Sequence, residues 1–214
     1  MKASIIDFVT DFADQAVVLP LAAAAAILLA VGGWRRGALA WLLVMTGVLG
    51  SLMAMKLVAS ACGHLLPVAG FHSPSGHTAS AAMVYGGLPA IVLRPFSGRV
   101  RWALLLALAA AACIGASRLL LHVHTVAEVL AGGAVGVAGA VVLSWLAGRR
   151  PPELGFRQMV IAGSLIIVLL HGFRLPAEAA IQRMSFKIWP LSECIAGDPV
   201  HLALSHRFSA GVIQ

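Results

Sequence analysis

Apolar residues run along this chain in long blocks broken by short polar stretches. Six blocks stand out, at about 16–33, 37–58, 77–93, 101–118, 125–147 and 157–174. Each approaches the roughly 20 residues an α-helix needs to cross a bilayer. Turn and breaker residues mark the junctions, at Gly32-Gly33, Pro67, Pro95, Gly98 and Pro151-Pro152. The pattern predicts an all-α, polytopic membrane protein, a six-transmembrane-helix bundle over residues 1–174 with a tail at 175–214. Ahead of the first block, residues 4–15 read as a short amphipathic helix. Ile5, Phe8, Val9 and Phe12 share one face, and Asp7, Asp11 and Asp14 another. Such a helix is expected to lie in the membrane interface; a frayed polar terminus fits the same residues.

Composition sharpens this picture. The chain is 60% apolar and 11% charged, where a soluble domain carries about 25% charged residues. The net charge is +7, and its distribution matters more than its size. Eight arginines form three clusters: Arg35 and Arg36; Arg94, Arg99 and Arg101; Arg149, Arg150 and Arg157. The clusters follow blocks one, three and five, which the positive-inside rule assigns to the cytoplasm. Both termini and the loops after blocks two and four then lie outside the inner (plasma) membrane, which is the periplasm if the cell is a Gram-negative bacterium. Arginines dispersed at membrane boundaries offer no continuous basic face, so no nucleic-acid partner is expected.

Gly132, Gly136 and Gly139 lie on or near one face of block five, where small residues let helices approach closely. They suit packing within a monomer or a homodimer contact. The three cysteines, Cys62, Cys113 and Cys194, match no zinc spacing. Cys113 reads as packing. Cys62 and Cys194 would both lie outside, where a disulfide can persist.

Polar residues concentrate at the predicted outer face. Ser73-Pro74-Ser75-Gly76-His77-Thr78 precedes block three, Ser117-Arg118 ends block four, His124 opens block five, and Lys56 sits near the end of block two. Phosphate is an anion that needs cations and N–H donors. Ser75 and Gly76 stand where a helix starts, so free N–H groups and the dipole favour an anion. Lys56 and Arg118 can add positive charge, and arginine can bind two phosphate oxygens at once. His124 and Glu128 are four residues apart. A carboxylate there can take the imidazole Nδ1–H and leave Nε2 as nucleophile. His77 can protonate a leaving alkoxide. Each residue also has a structural reading: Lys56 can snorkel, His124 and Glu128 can be a helix pair, and Ser75 and Ser117 can cap or pack. His122 reads as an interface residue turned away from Glu128, and His72 and Thr78 as loop and cap residues.

These motifs resemble the type 2 phosphatidic acid phosphatase family, the lipid-phosphatase branch of a superfamily shared with vanadium haloperoxidases. That family shows Lys-x6-Arg-Pro, Pro-Ser-Gly-His and Ser-Arg-x5-His-x3-Asp. The second motif is complete at Pro74–His77, and the third reads Ser117-Arg118, five residues, His124, three residues, Glu128. The resemblance implies a haloperoxidase-like helical fold and a transient phosphohistidine at His124, with His77 as acid. It makes Lys56, Ser75, Gly76, Ser117 and Arg118 the phosphate-binding residues, with no metal or cofactor. The expected substrate is a membrane lipid phosphate or diphosphate in the bilayer. Glu128 replaces the usual aspartate, and the Arg-Pro of the first motif is missing, because Gly63-His64 stands there. Arg174 and His64 are the candidate replacements. A lipid phosphotransferase needs the same site, and a catalytically silent transporter or scaffold could share the fold.

Overall fold

The computed structural model describes residues 4–62, 71–93, 98–151 and 155–175. All regular structure among them is helical. The elements are α1 (Ile5–Asp11), α2 (Gln15–Val31), α3 (Arg35–Cys62), α4 (Gly76–Ala81), a π-helical segment (Ala82–Gly87), α5 (Leu88–Leu93), α6 (Arg99–Leu120), α7 (Val126–Leu146) and α8 (Phe156–Leu170). The described residues fall into two compact units. One holds those up to Leu52 and from Pro74 to Leu175; the other holds those between Met53 and Ser73.

Among the described residues, four stretches are long and apolar enough to cross a membrane: Ile5–Val31, Arg35–Ala59, Arg99–Leu120 and Val126–Leu146. The predicted third and sixth spans take other forms. Block three becomes α4, the π segment and α5 in succession. The helical run continues through Pro89, which has no N–H to give and whose ring would meet the Tyr85 carbonyl in a regular α-helix. The π turns over Ala82–Gly87 widen the helix just before it. Block six yields the 15-residue α8, about 22 Å long at 1.5 Å per residue against a hydrocarbon core of about 30 Å.

In the first unit the interior is built from small residues and the outside from large apolar ones. Ala82, Ala90, Ala103, Ala107 and Ala140 are completely buried between α6, α7 and the helices around the π segment. A Cβ on Gly86 would stand 2.4 Å from Ala107 Cα, and one on Gly136 would stand 2.3 Å from Ala79 O. Backbones therefore touch where a side chain would keep them apart, as in membrane helix pairs. The glycine stripe on α7 is used up inside the chain, by Ser75, Ala79 and Met83. Leu43, Leu105, Leu130 and Trp145 meanwhile face outward. A surface of this kind suits lipid rather than water.

The arginine clusters gather at one end of this unit. Arg36 Nε donates to Leu146 O at 3.0 Å, Trp34 Nε1 donates to Ala147 O at 3.1 Å, and Arg99 donates to Gly148 O. Arg150 reaches Val92 O at 2.7 Å. The last carbonyls of a helix have no partner within it, and cations there also suit the dipole. The basic residues thus close the ends of α5 and α7, and Arg99 is fully buried in doing so.

The amphipathic start of the chain folds differently from expectation. Ser4 and Asp7 form a capping box that starts α1, and Asp14 caps α2. Ile5 and Phe8 point out, whereas Thr10, Asp11 and Asp14 are buried. The acidic face is turned into the protein, where it finds partners that lipid cannot offer.

Candidate active site

Ser75 and Thr125 organise the site at the end of the first unit opposite the arginines. Ser75 is the N-cap of α4, and its Oγ accepts from Thr78 N at 3.4 Å and from Thr78 Oγ1 at 2.9 Å. Its own N–H donates to Glu128 O at 2.9 Å, which ties the second motif to the third through the backbone. Gly132 permits this contact, since a Cβ there would stand 2.2 Å from Ser75 O. Ser75 is fully buried with its hydroxyl and N–H in these bonds, so it builds the helix start on which an anion could sit. The N–H groups of Gly76 and His77 occupy the first two positions of α4, where the positive end of the dipole lies.

Glu128 reaches His124 by a route the spacing did not reveal. His124 precedes α7 rather than lying on it; Thr125 is the N-cap and Glu128 the third helical residue. The Glu128 carboxylate returns to Thr125 N at 2.9 Å and also meets His124 Nδ1 at 3.0 Å. Glu128 N closes the capping box on Thr125 Oγ1 at 3.4 Å. One buried carboxylate therefore starts the helix and fixes the imidazole through Nδ1. The Thr-x-x-Glu signature of this box is present in the sequence and went unread.

His122 takes another role. It is exposed and adopts a positive φ of 54°. His122 N donates to Leu119 O at 2.9 Å and Val123 N to Arg118 O at 3.2 Å. These two bonds end α6 in a Schellman turn, so His122 turns the chain and His124 comes back toward Glu128.

Other expected phosphate ligands are placed less simply. Ser117 is buried, with its Oγ 2.6 Å from Thr10 Oγ1 and donating to Ile114 O at 2.7 Å; its hydroxyl joins α1 to α6. Arg118 is half-buried in the last turn of α6. Arg174, expected to replace the missing arginine, binds carboxylates instead. Its Nε donates to Asp11 at 2.7 Å and its terminal nitrogen to Asp7 at 3.0 Å. The hydrogen bonds it gives to Asp11 and then Asp7 hold its guanidinium pKa above the ordinary value. Two acids one turn apart on α1 capture the cation, so it clasps α1 to the chain leaving α8. Lys56 lies in the second unit, buried, where its Nζ donates to Ser73 Oγ at 3.3 Å. His64, Cys194 and the tail beyond Leu175 lie outside the described residues, while Cys113 is free and exposed.

Sequence reading missed what α1 brings. Asp14 Oδ2 stands 3.6 Å from His77 Nε2, and Tyr85 OH donates to Phe12 O at 2.6 Å. One signal was available. Asp7, Asp11 and Asp14 are three of only eight acidic residues in the chain, and carboxylates beside a membrane span are functional until shown otherwise.

Helical bundle, apolar exterior and long apolar helices are those of a membrane protein. Residues 57–152 match the PAP2 superfamily, whose members are phosphatases. The matched stretch contains the second and third motifs entire. The chain is also similar to an uncharacterized 22.5 kDa protein in the cps region of Klebsiella pneumoniae, at 28% identity over 201 residues, covering 90% of this chain and 96% of the relative. No solved structure matches.

Proposed function

We propose that this protein removes phosphate from a phosphorylated membrane lipid through a phosphohistidine. The observation that carries the reading is the His124 Nδ1 to Glu128 contact at 3.0 Å, on a loop tied to the start of α4 by the Ser75 N–H. With Nδ1 held, the Nε2 lone pair attacks phosphorus and the bond to the lipid oxygen breaks. His77 gives its proton to that oxygen. Water then attacks the phosphohistidine, its proton passes to His77, and the P–N bond breaks to release phosphate. Arg118 and the N–H groups of Gly76 and His77 bind the phosphate oxygens. Lys56 is assigned to the same task by the motif resemblance alone.

Two features support a lipid substrate at the outer face. Leu120, Val123 and Val126 are exposed on either side of His124, so apolar chains flank the reacting group. The bonded arginines Arg36, Arg99 and Arg150 lie at the opposite end of the unit, which the positive-inside rule puts in the cytoplasm. The test is phosphate release by the purified protein from a panel of lipid phosphates, with His124→Ala alongside. Release from at least one lipid, lost in the variant, is expected; an inactive wild type, or a fully active variant, refutes the reading.

A further inference from the structure

α1 and the turn after it lie on the site. Thr10 touches Ser117, the Phe12 carbonyl accepts from Tyr85, and Asp14 faces His77. Asp14 is the most constrained of these. Its Oδ1 accepts from Ala16 N at 2.9 Å and from Leu175 N at 3.1 Å. Its other oxygen is the one 3.6 Å from His77 Nε2. The carboxylate is nearly inaccessible and caps α2, where the helix dipole stabilises an anion. The elements that brace it are themselves fixed: Arg174 grips Asp11 and Asp7, and His171 Nε2 lies 2.9 Å from Phe8 O. This is a carboxylate aimed and held.

We infer that Asp14 is a positioning residue for His77, so that α1 and the exit of α8 supply the phosphatase site with a second histidine–carboxylate pair. The inference rests on the phosphatase reading above. Glu128 and Asp14 then divide the work. Glu128 holds His124, the nucleophile, through Nδ1, and Asp14 holds His77, the proton donor to the leaving group. A carboxylate oxygen at this range selects the orientation of the ring. At 3.6 Å the contact is an ion pair rather than a formed hydrogen bond, which leaves the ring able to turn toward substrate. Among the described residues, the other ionisable groups at this end of the elements packed on α4 include Tyr85, Arg118, His124 and Glu128. Of these, Glu128 is engaged with His124 and Thr125. Among the described residues, Asp14 is thus the carboxylate at His77.

Asp14→Asn in the full chain tests this, because asparagine caps a helix as well as aspartate and can still accept from Ala16 and Leu175. Turnover is compared on p-nitrophenyl phosphate, whose leaving group needs no proton, and on a long-chain alkyl phosphate, whose leaving group does. General-acid catalysis supplies about 10²–10⁴-fold, so mispositioning the acid should lower kcat on the alkyl ester by about 10- to 100-fold. The nitrophenyl ester should lose less than about threefold. Asp14→Glu should restore part of the alkyl activity, and Asp14→Asn should add little to His77→Ala. Equal losses on both esters, or none on either, overturn the inference while leaving the phosphatase reading intact. A wild-type protein that turns over neither ester overturns both.

Discussion

Adding one methyl group at Gly132 should damage the site more than any comparable change on α7. An alanine Cβ there would stand 2.2 Å from Ser75 O, with Ser75 C and N at 3.0 Å. Carbon and carbonyl oxygen settle at about 3.3 Å, so the start of α4 must retreat by about 1 Å. No side chain can yield instead, because the obstacle is backbone. The Ser75 N–H to Glu128 O bond, 2.9 Å long, lies at this contact and would stretch. Gly76 and His77 would move with Ser75, away from His124. A misplacement of 1 Å lowers turnover by about 100-fold, and overpacking costs about 1–3 kcal/mol. The control is the adjacent residue. A Cβ on Gly133 finds only Thr78 Cγ2 at 3.6 Å and Ala111 Cβ at 3.7 Å, ordinary contacts. Gly133→Ala should therefore keep its activity and gain up to about 1 kcal/mol from helix propensity. The assay is phosphate release in detergent micelles, with thermal unfolding of both variants in the same detergent. If Gly132→Ala and Gly133→Ala behave alike in activity and Tm, the close packing of α4 on α7 does not set the site geometry.

Two further outcomes follow from the same contacts. His122→Gly should keep activity and stay within about 1 kcal/mol of wild-type stability, because relief of a left-handed conformation worth about 1–2 kcal/mol is offset by unfolded-chain entropy of about 0.4–1 kcal/mol; His122→Val, β-branched at the φ of 54°, should lower Tm clearly while the loop sequence around His124 is unchanged. Arg174→Ala should lower Tm modestly, by loosening its bonds to Asp11 and Asp7, and leave KM for a phosphorylated lipid unchanged; a KM several-fold higher at unaltered Tm would return Arg174 to the phosphate.

Local signals were legible in the sequence where they were contiguous. Pro74–His77 reads as a helix start, and the His124–Glu128 pairing follows from spacing alone, because each lies within a few residues of its partner. The geometry of that pairing was not legible, since the spacing suggested a shared helix face and the capping box at Thr125 instead brings the carboxylate back. Asp14 and His77 are far apart in sequence, and nothing local in either announces the other. Arg174 had a charge and a position that suited phosphate, but Asp7 and Asp11 suited it better once α1 turned its acids inward. The π segment within block three was not legible because hydropathy counts side chains, whereas Pro89 acts through a missing N–H.

The claim on which everything else depends is that His124 takes the phosphoryl group. Rapid acid-free quenching of the wild-type protein during turnover of a lipid carrying radiolabelled phosphate measures this directly. A base-stable, acid-labile phosphoprotein should form, map to the peptide containing His124, and vanish in His124→Ala. A label that survives His124→Ala, or that maps to His122, would contradict the account.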